Sequence, residues 1–333
     1  MRPNSEKKRE ARISPDELPA KLDLYSVNTA SQNWHFLLNP AAARGKAGLR
    51  WQTMLPKLKA HLPNMTWAQS SAKIGMANLA EAAVRNGYLK LVGVGGDGTH
   101  HEVLNGIVAA DALEQVTYSP FPLGTGNDWV RTLGTSRELT DWVKVLVAGK
   151  TIRHSVGRIR YGEDQSRVRY FLNVAGMAYD AEVVRRSEQM RFKHRLLYPL
   201  LTLVFLKDFT PPEVKVVYGK ETFIGAVHTI NFGIGRYSGG GMRLVPQADP
   251  QADTLALTIA RRLPVWKILA ESWRFYTGTI GAVKEVTLTQ AHSVIVEPIN
   301  GRIEFEADGE WLGSGALEVD VLQRKLRVII PNE

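Results

Sequence analysis

The stretch Leu89 to Glu102, reading Leu-Lys-Leu-Val-Gly-Val-Gly-Gly-Asp-Gly-Thr-His-His-Glu, constrains the fold of this chain more than any other. It reads as strand, glycine turn and helix. Leu91, Val92 and Val94 form a short apolar run suited to a buried parallel strand. Gly95, Gly96 and Gly98 permit positive φ and let the backbone approach a ligand closely. Thr99 followed by Glu102 has the spacing of a capping box at a helix start. Val103, Leu104 and Ile107 supply the apolar face of that helix. Free N–H groups and a helix N-terminus then converge on one point, which favours an anion such as phosphate.

Several chemistries compete for such a turn. Gly93 to Gly98 satisfies the letters of a dinucleotide-binding GxGxxG turn. That turn carries no carboxylate facing the pyrophosphate, whereas Asp97 here would repel a bare phosphate and implies a bridging cation. The acidic residue expected further on, at a strand end, has no clear candidate, because Asp111 ends the first helix. A P-loop is excluded, since no GxxxxGK[ST] occurs. The remaining alternative is a tight turn with no ligand, which a capped helix and a preceding strand argue against.

The 333 residues allow two domains with ample core. Absence of cysteine excludes disulfides, thiolate metal sites and cysteine nucleophiles. The net charge of +9 suits an anionic partner: a nucleotide, a nucleic acid or an acidic membrane surface. No recognition module for nucleic acid is visible, so none is expected as a partner. No long apolar run predicts a spanning helix, and the basic N-terminus lacks the apolar core of a signal peptide. The expected location is cytoplasmic.

Residues 1–31 read as a loosely ordered extension with one short helix. From 32 to 150 the pattern is α/β. His35 to Leu38 is a strand ending in Asn39-Pro40, and Trp51, Met54, Leu55, Leu58 and Leu62 share a helical face interrupted by Pro56. Met65 to Trp67 is a second strand, and Leu79 to Val84 a helix closed by Asn86-Gly87. After the central strand comes Val116 to Leu123, then a second glycine turn, Gly124-Thr125-Gly126-Asn127-Asp128. This order predicts a Rossmann-like parallel sheet whose C-terminal strand ends bring Asn39, Gly95 to Thr99 and Gly124 to Asp128 together. Taken alone, Gly124 to Asp128 is only a helix start.

Past Lys150 alternating strands replace the βα units, predicting an antiparallel β-sandwich over 151–333 whose last strand is free to return to the first domain. The strands expected are Thr151 to Arg160, Val168 to Val174, Glu213 to Tyr218, Ala226 to Phe232, Thr254 to Ala260, Lys284 to Thr289, Ser293 to Glu297, Arg302 to Glu306 and Ala316 to Val321. Helical insertions interrupt at Tyr179 to Phe205 and Pro264 to Tyr276. In the first, basic residues precede the apolar stretch Leu196 to Leu206, which is too short to span a bilayer and reads as a helix packed on the sheet, with a membrane-surface helix as its alternative. His100 and His101 point in different directions on a helix, His100 into packing and His101 toward the cleft. Asp308-Gly309 reads as a hairpin turn between two strands.

Five motifs in order carry a resemblance: Gly-Gly-Asp-Gly-Thr-His-His-Glu-Val-Leu-Asn-Gly at 95–106, Pro-Leu-Gly-Thr-Gly-Asn-Asp-Trp at 122–129, Asn-Val-Ala-Gly-Met-Ala-Tyr-Asp-Ala at 173–181, Tyr-Ser-Gly-Gly-Gly-Met at 237–242 and Asp-Gly-Glu at 308–310. Together they resemble the diacylglycerol kinase catalytic domain family, which includes bacterial lipid kinases and sphingosine kinases. NAD kinases share Gly-Gly-Asp-Gly but lack the second motif, and rank second. A catalytically silent nucleotide- or lipid-binding relative is the third reading.

The resemblance implies ATP and Mg2+ as cofactors, a lipid substrate, and a cleft between nucleotide and lipid domains. It implies attachment to the membrane surface, and it leaves a homodimer open. By position, Gly95, Gly96, Asp97, Gly98, Thr99, His100, His101 and Glu102 would hold the ATP phosphates, Asp97 through magnesium. Asn39, Ser71, Gly124, Thr125, Asn127 and Asp128 would complete the nucleotide site, and Asp308 or Glu310 would be the general base. The resemblance maps a second, structural magnesium site of some bacterial members to Asp249 and Asp253, but Ser155 stands where that site often has aspartate, and without a gap Ala252 replaces the other ligand aspartate, which Asp253 serves only with a one-residue slip.

Overall fold

The computed structural model describes residues 33–189 and 205–332. The extension 1–31 and the apolar stretch from Leu196 to Val204 lie outside the described residues. The first half alternates strand and helix: β1 (Trp34–Leu38), α1 (Ala47–His61), β2 (Thr66–Gln69), α2 (Met76–Arg85), β3 (Lys90–Gly95), α3 (Asp97–Ala109), β4 (Thr117–Pro122), α4 (Asp128–Leu133) and α5 (Leu139–Ala148). β1 to β4 pair in parallel in the order β2-β1-β3-β4. β3 is buried along nearly its whole length because helices cover both faces, as its unbroken apolar run requires. One face packs Leu37, Leu91, Val103, Leu104 and Ile107 together. The other packs Phe36, Leu38, Trp51, Val92, Val94 and Trp142.

The second half is mainly antiparallel: β5 (Thr151–His154), β6 (Gly157–Tyr161), β7 (Arg167–Phe171), β8 (Val174–Ala178), then α6 (Tyr179–Gln189), β9 (Glu213–Tyr218), β10 (Glu221–Gly233) and β11 (Leu255–Arg261). After α7 (Val265–Glu271) and α8 (Arg274–Thr277) come β12 (Val286–Ala291), β13 (Ser293–Asn300), β14 (Glu304–Ala307), β15 (Glu310–Ser314), β16 (Leu317–Val321) and β17 (Leu326–Ile329). Most of these strands form one curled sheet in the order β15-β14-β8-β10-β9-β13-β16-β6-β7, with β11 and β12 branching from β10. β10 is long enough to serve both layers: its first half pairs with β9, its second with β8 and β11. Val214, Val216, Ile230, Phe232, Val294 and Phe305 fill the space between the layers.

Two strands expected to be continuous are broken, each for a tertiary reason. The run Thr151 to Arg160 divides at Ser155-Val156, where the chain leaves the first sheet for the second. There the Ser155 N–H donates to the Pro250 carbonyl at 2.7 Å. The run Val168 to Val174 divides at Leu172-Asn173, whose N–H groups donate to a carboxylate instead of a neighbouring strand. At the other end of the chain, β17 inserts between β4 and β5 in the first sheet, parallel to one and antiparallel to the other. No helix among the described residues is long and apolar enough to cross a membrane.

Candidate active site

The C-terminal ends of β1 to β4 share one edge of the sheet, so Asn39, Ser71, the bend at Gly95 to Thr99 and the turn at Gly124 to Asp128 lie along it. Asn39 Nδ2 donates to Thr99 Oγ1 at 3.0 Å, and the Gly124 N–H donates to the Gly95 carbonyl at 2.9 Å. Ser71 Oγ accepts the N–H groups of Lys73 and Ile74 at 3.3 and 3.1 Å, closing its own turn after β2. Thr125 is exposed at the tip of the second turn.

The helix after the first bend starts earlier than the Thr99–Glu102 capping box predicts. Gly96 is the N-cap and Asp97 the first helical residue: the Gly96 carbonyl accepts the His100 N–H at 3.1 Å, and the Thr99 hydroxyl accepts from Asn39 and caps nothing. Glu102 therefore lies inside the helix, partly exposed. Gly95, Gly96 and Gly98 do not use positive φ. What the bend needs is space: a Cβ on Gly124 would stand 2.3 Å from Gly96 Cα, and one on Gly98 would stand 2.4 Å from Glu310 Oε1.

Asp97 ties the two turns together, its Oδ1 accepting the Trp129 N–H at 3.1 Å. Burial, and then the neighbouring Asp128, push its carboxyl up to about 6. Asp128 Oδ2 accepts the Gly240 N–H at 2.7 Å, which draws the glycine loop at 237–242 against the nucleotide edge. Asn127 takes left-handed backbone at φ 55° and its Nδ2 donates to the Gly124 carbonyl at 2.8 Å. Asn127 Oδ1 and Asp128 Oδ1 are buried acceptors without hydrogen bonds.

His100 and His101 separate as neighbouring helical residues must. His100 is buried with Nδ1 2.7 Å from the Tyr118 hydroxyl and its ring against Trp129. Burial pushes it down to about 3, so it is neutral and packs in the core, away from the phosphate position the resemblance implies for it. His101 does not line an open cleft. It is buried with Nδ1 3.2 Å from Asp308 Oδ2, a contact between residues 207 positions apart.

That contact brings the acidic hairpin of the second sheet onto the glycine bend of the first. Asp308 and Gly309 both take positive φ, 52° and 86°, between the paired Ala307 and Glu310, so the turn is the tight primed type that Asp-Gly favours. Asp308 Oδ1 accepts the Asn173 N–H at 3.0 Å, and Oδ2 accepts the Leu172 N–H at 3.1 Å. Its side chain is only 3% exposed. Glu306 Oε2 accepts the Gly309 N–H at 2.8 Å and braces the turn from beneath. Burial raises the Glu306 carboxyl well above its ordinary range and also raises that of Asp180, which the Thr229 hydroxyl binds at 2.5 Å. Neither Glu306 nor Asp180, although Asp180 lies in the motif at 173–181, was assigned a role from the sequence: one ends a strand, the other starts a helix, and burial at those places follows only from the packing.

The two implied cation sites fare differently. Around the glycine bend, burial and the neighbouring Asp128 and Asp308 raise the carboxyl of Asp97, and buried oxygens of Asn127 and Asp128 accept no hydrogen bond, with Arg131 Nε 3.8 Å from Asp128 Oδ1. That environment fits a cation carried in with a nucleotide. The structural site does not fit. Ser155 Oγ donates to the Ala252 carbonyl at 2.5 Å, and Asp249 Oδ1 accepts the Gln251 N–H at 3.0 Å. Asp253 is bound 2.7 Å from Lys325 Nζ, which also donates to the Gln251 carbonyl at 2.6 Å. An ammonium group is therefore paired with Asp253, the carboxylate a second cation would have needed.

Residues 33–159 match the family described as the diacylglycerol kinase catalytic domain. Residues 173–330 match the YegS C-terminal NAD kinase β-sandwich-like domain. With an acidic turn facing a phosphate-type bend, these matches make the protein a kinase. The chain belongs to the diacylglycerol kinase family. It is 27% identical over 298 residues to a diacylglycerol kinase of Mycobacterium tuberculosis (strain ATCC 25618 / H37Rv), covering 89% of this chain and 94% of that one. It is 28% identical over 260 residues to a diacylglycerol kinase of Bacillus subtilis (strain 168), covering 76% and 81%. A crystal structure of a diacylglycerol kinase from Bacillus anthracis str. Sterne shares the fold with a TM-score of 0.67 at 18% identity, over 90% of this chain and 97% of that one.

Proposed function

We propose that this kinase transfers the γ-phosphate of ATP to a hydroxyl of diacylglycerol or a related lipid at a membrane surface. The observation that carries the reading is the position of Glu310, whose carboxylate lies directly over Gly98 in the glycine bend. The N–H groups at the start of α3 and the turn at Gly124 to Asp128 would cradle the phosphates. Magnesium, when bound with the nucleotide, supplies positive charge to the phosphate oxygens, and Asp97 would hold it. Glu310 is exposed at the turn and accepts the proton of the lipid hydroxyl as its oxygen attacks the γ-phosphorus in line and ADP departs. Asp308 is already engaged by two N–H groups and His101, so it positions the turn and does not serve as the base.

Labelled ATP with magnesium, offered with diacylglycerol, monoacylglycerol, sphingosine and NAD, tests the reading. Transfer to a lipid hydroxyl is expected. Transfer to NAD alone would make the protein an NAD kinase, and nucleotide binding without transfer to any acceptor would make it a silent relative. Glu310→Gln is expected to lower kcat by about 10²–10⁴-fold while ATP affinity holds. A Glu310→Gln enzyme of normal turnover, beside an inactive but folded Asp308→Asn, would exchange the two roles.

A further inference from the structure

We propose that the outward face of the helical segment 265–277 docks the protein on an anionic lipid bilayer. This rests on the reading of the acceptor as a lipid. Backbone angles stay right-handed helical through Ser272 and Trp273, so α7 and α8 form one nearly continuous helical segment. A helix turns about 100° per residue, which places Trp266, Leu269, Trp273 and Tyr276 within one sector of roughly 100°. These side chains are 69%, 46%, 52% and 59% exposed. The opposite side is already used. Ile268 packs on Tyr179, Val183 and Leu206, and Phe275 packs on Val174, Leu244 and Val245. The segment is thus apolar on both sides, whereas a surface helix of a globular domain is polar on the outside.

The composition of the outer face selects its occupant. Two tryptophans and a tyrosine are the side chains favoured at the headgroup level of a bilayer. The Arg274 guanidinium lies 4.5 Å over the Trp273 ring. Both acids paired with this segment are neutralised in place, Glu271 by Arg274 and Glu285 by Lys267 at 2.7 Å, and the exposed Asp208 beside Lys207 is outnumbered by the basic residues around it. Lys207 and Arg262 remain exposed around the cavity that Val265 also lines, and Arg261 is exposed next to them. An apolar aromatic face with a positive border complements an anionic membrane. Phe275 and the Arg243 N–H, which donates to the Phe275 carbonyl at 2.7 Å, connect this face to the segment that follows the glycine loop bound to Asp128. Docking there would hold the second domain against the bilayer that contains its acceptor.

Flotation with vesicles tests the proposal. The full chain is mixed with phosphatidylcholine vesicles, with or without phosphatidylglycerol, at low and high salt. Wild type is expected to float with the anionic vesicles and to be released by salt. Trp266→Ala/Trp273→Ala is expected to lose at least about 10-fold in partitioning, with its circular dichroism and turnover on diacylglycerol in detergent micelles unchanged. Arg261→Gln/Arg262→Gln is expected to bind more weakly and with less salt dependence. Flotation of the double-tryptophan variant at the wild-type level overturns the proposal. So does a wild-type dimer that this variant converts to monomer, since the face would then be covered by a second copy. If wild type floats and the variant does not, docking stands even where no lipid is phosphorylated, and only the assignment of the acceptor fails.

Discussion

Asp97 shows what a single side chain contributes when its surroundings are arranged around it. Its carboxyl is raised to about 6, chiefly by burial and then by Asp128. A carboxyl raised on folding holds its proton in the native state at pH values where the unfolded chain has lost it. Stability from this group is therefore present below its ordinary range and is lost as pH rises toward 6. Above pH 6 the site carries a further buried negative charge that a cation bound with nucleotide would relieve. Nucleotide binding with magnesium is thus expected to tighten between pH 5 and 7 with an inflection about 6 and to release a proton near that pH. Calorimetry in buffers of different ionisation enthalpy measures both. Asp97→Asn should flatten the pH dependence and raise the stability of the nucleotide-free protein at neutral pH.

At the scale of elements, the hairpin of β14 and β15 reaches the glycine bend because Asp308 is anchored in the gap between β7 and β8. Leu172 and Asn173 give their N–H groups to its carboxylate, and its own N–H donates to the Val174 carbonyl at 2.9 Å. The break in the strand and the placement of the turn are one feature. Asp308→Ala would leave two buried N–H groups unpaired, at about 1–3 kcal/mol each. Urea unfolding is expected to show a loss of that order, with activity falling even at temperatures where the variant remains folded, because Glu310 is no longer held over Gly98. A variant that matched wild-type stability would show that the carboxylate does not brace the hairpin.

At the scale of the whole molecule, the end of the chain completes the domain that the beginning of the chain starts. β17 lies between β4 and β5, and Leu326 and Val328 are fully buried in the core beside Tyr118 and Leu91. Leu326→Ala is expected to cost about 2–5 kcal/mol, read as a lower denaturation midpoint of the nucleotide half. Ending the chain before Leu326 should prevent that half from forming, as limited proteolysis would report. The parallel sheet, the glycine bend, the antiparallel second half and the hairpin at Asp308-Gly309 were legible in the residues. Each of these depends on local patterns: apolar runs, helical periods and turn residues that act within a few positions. The capping box was misread because nothing near Thr99 reveals that Asn39 holds its hydroxyl. The burial of His100 against Tyr118, the pairing of His101 with Asp308, and the ammonium of Lys325 beside Asp253 were equally hidden. So the sequence by itself determined which elements form and which residue types stand at their ends. The tertiary structure alone decided which of those ends meet, because contacts across hundreds of residues are set by how two sheets pack and not by any neighbouring pattern.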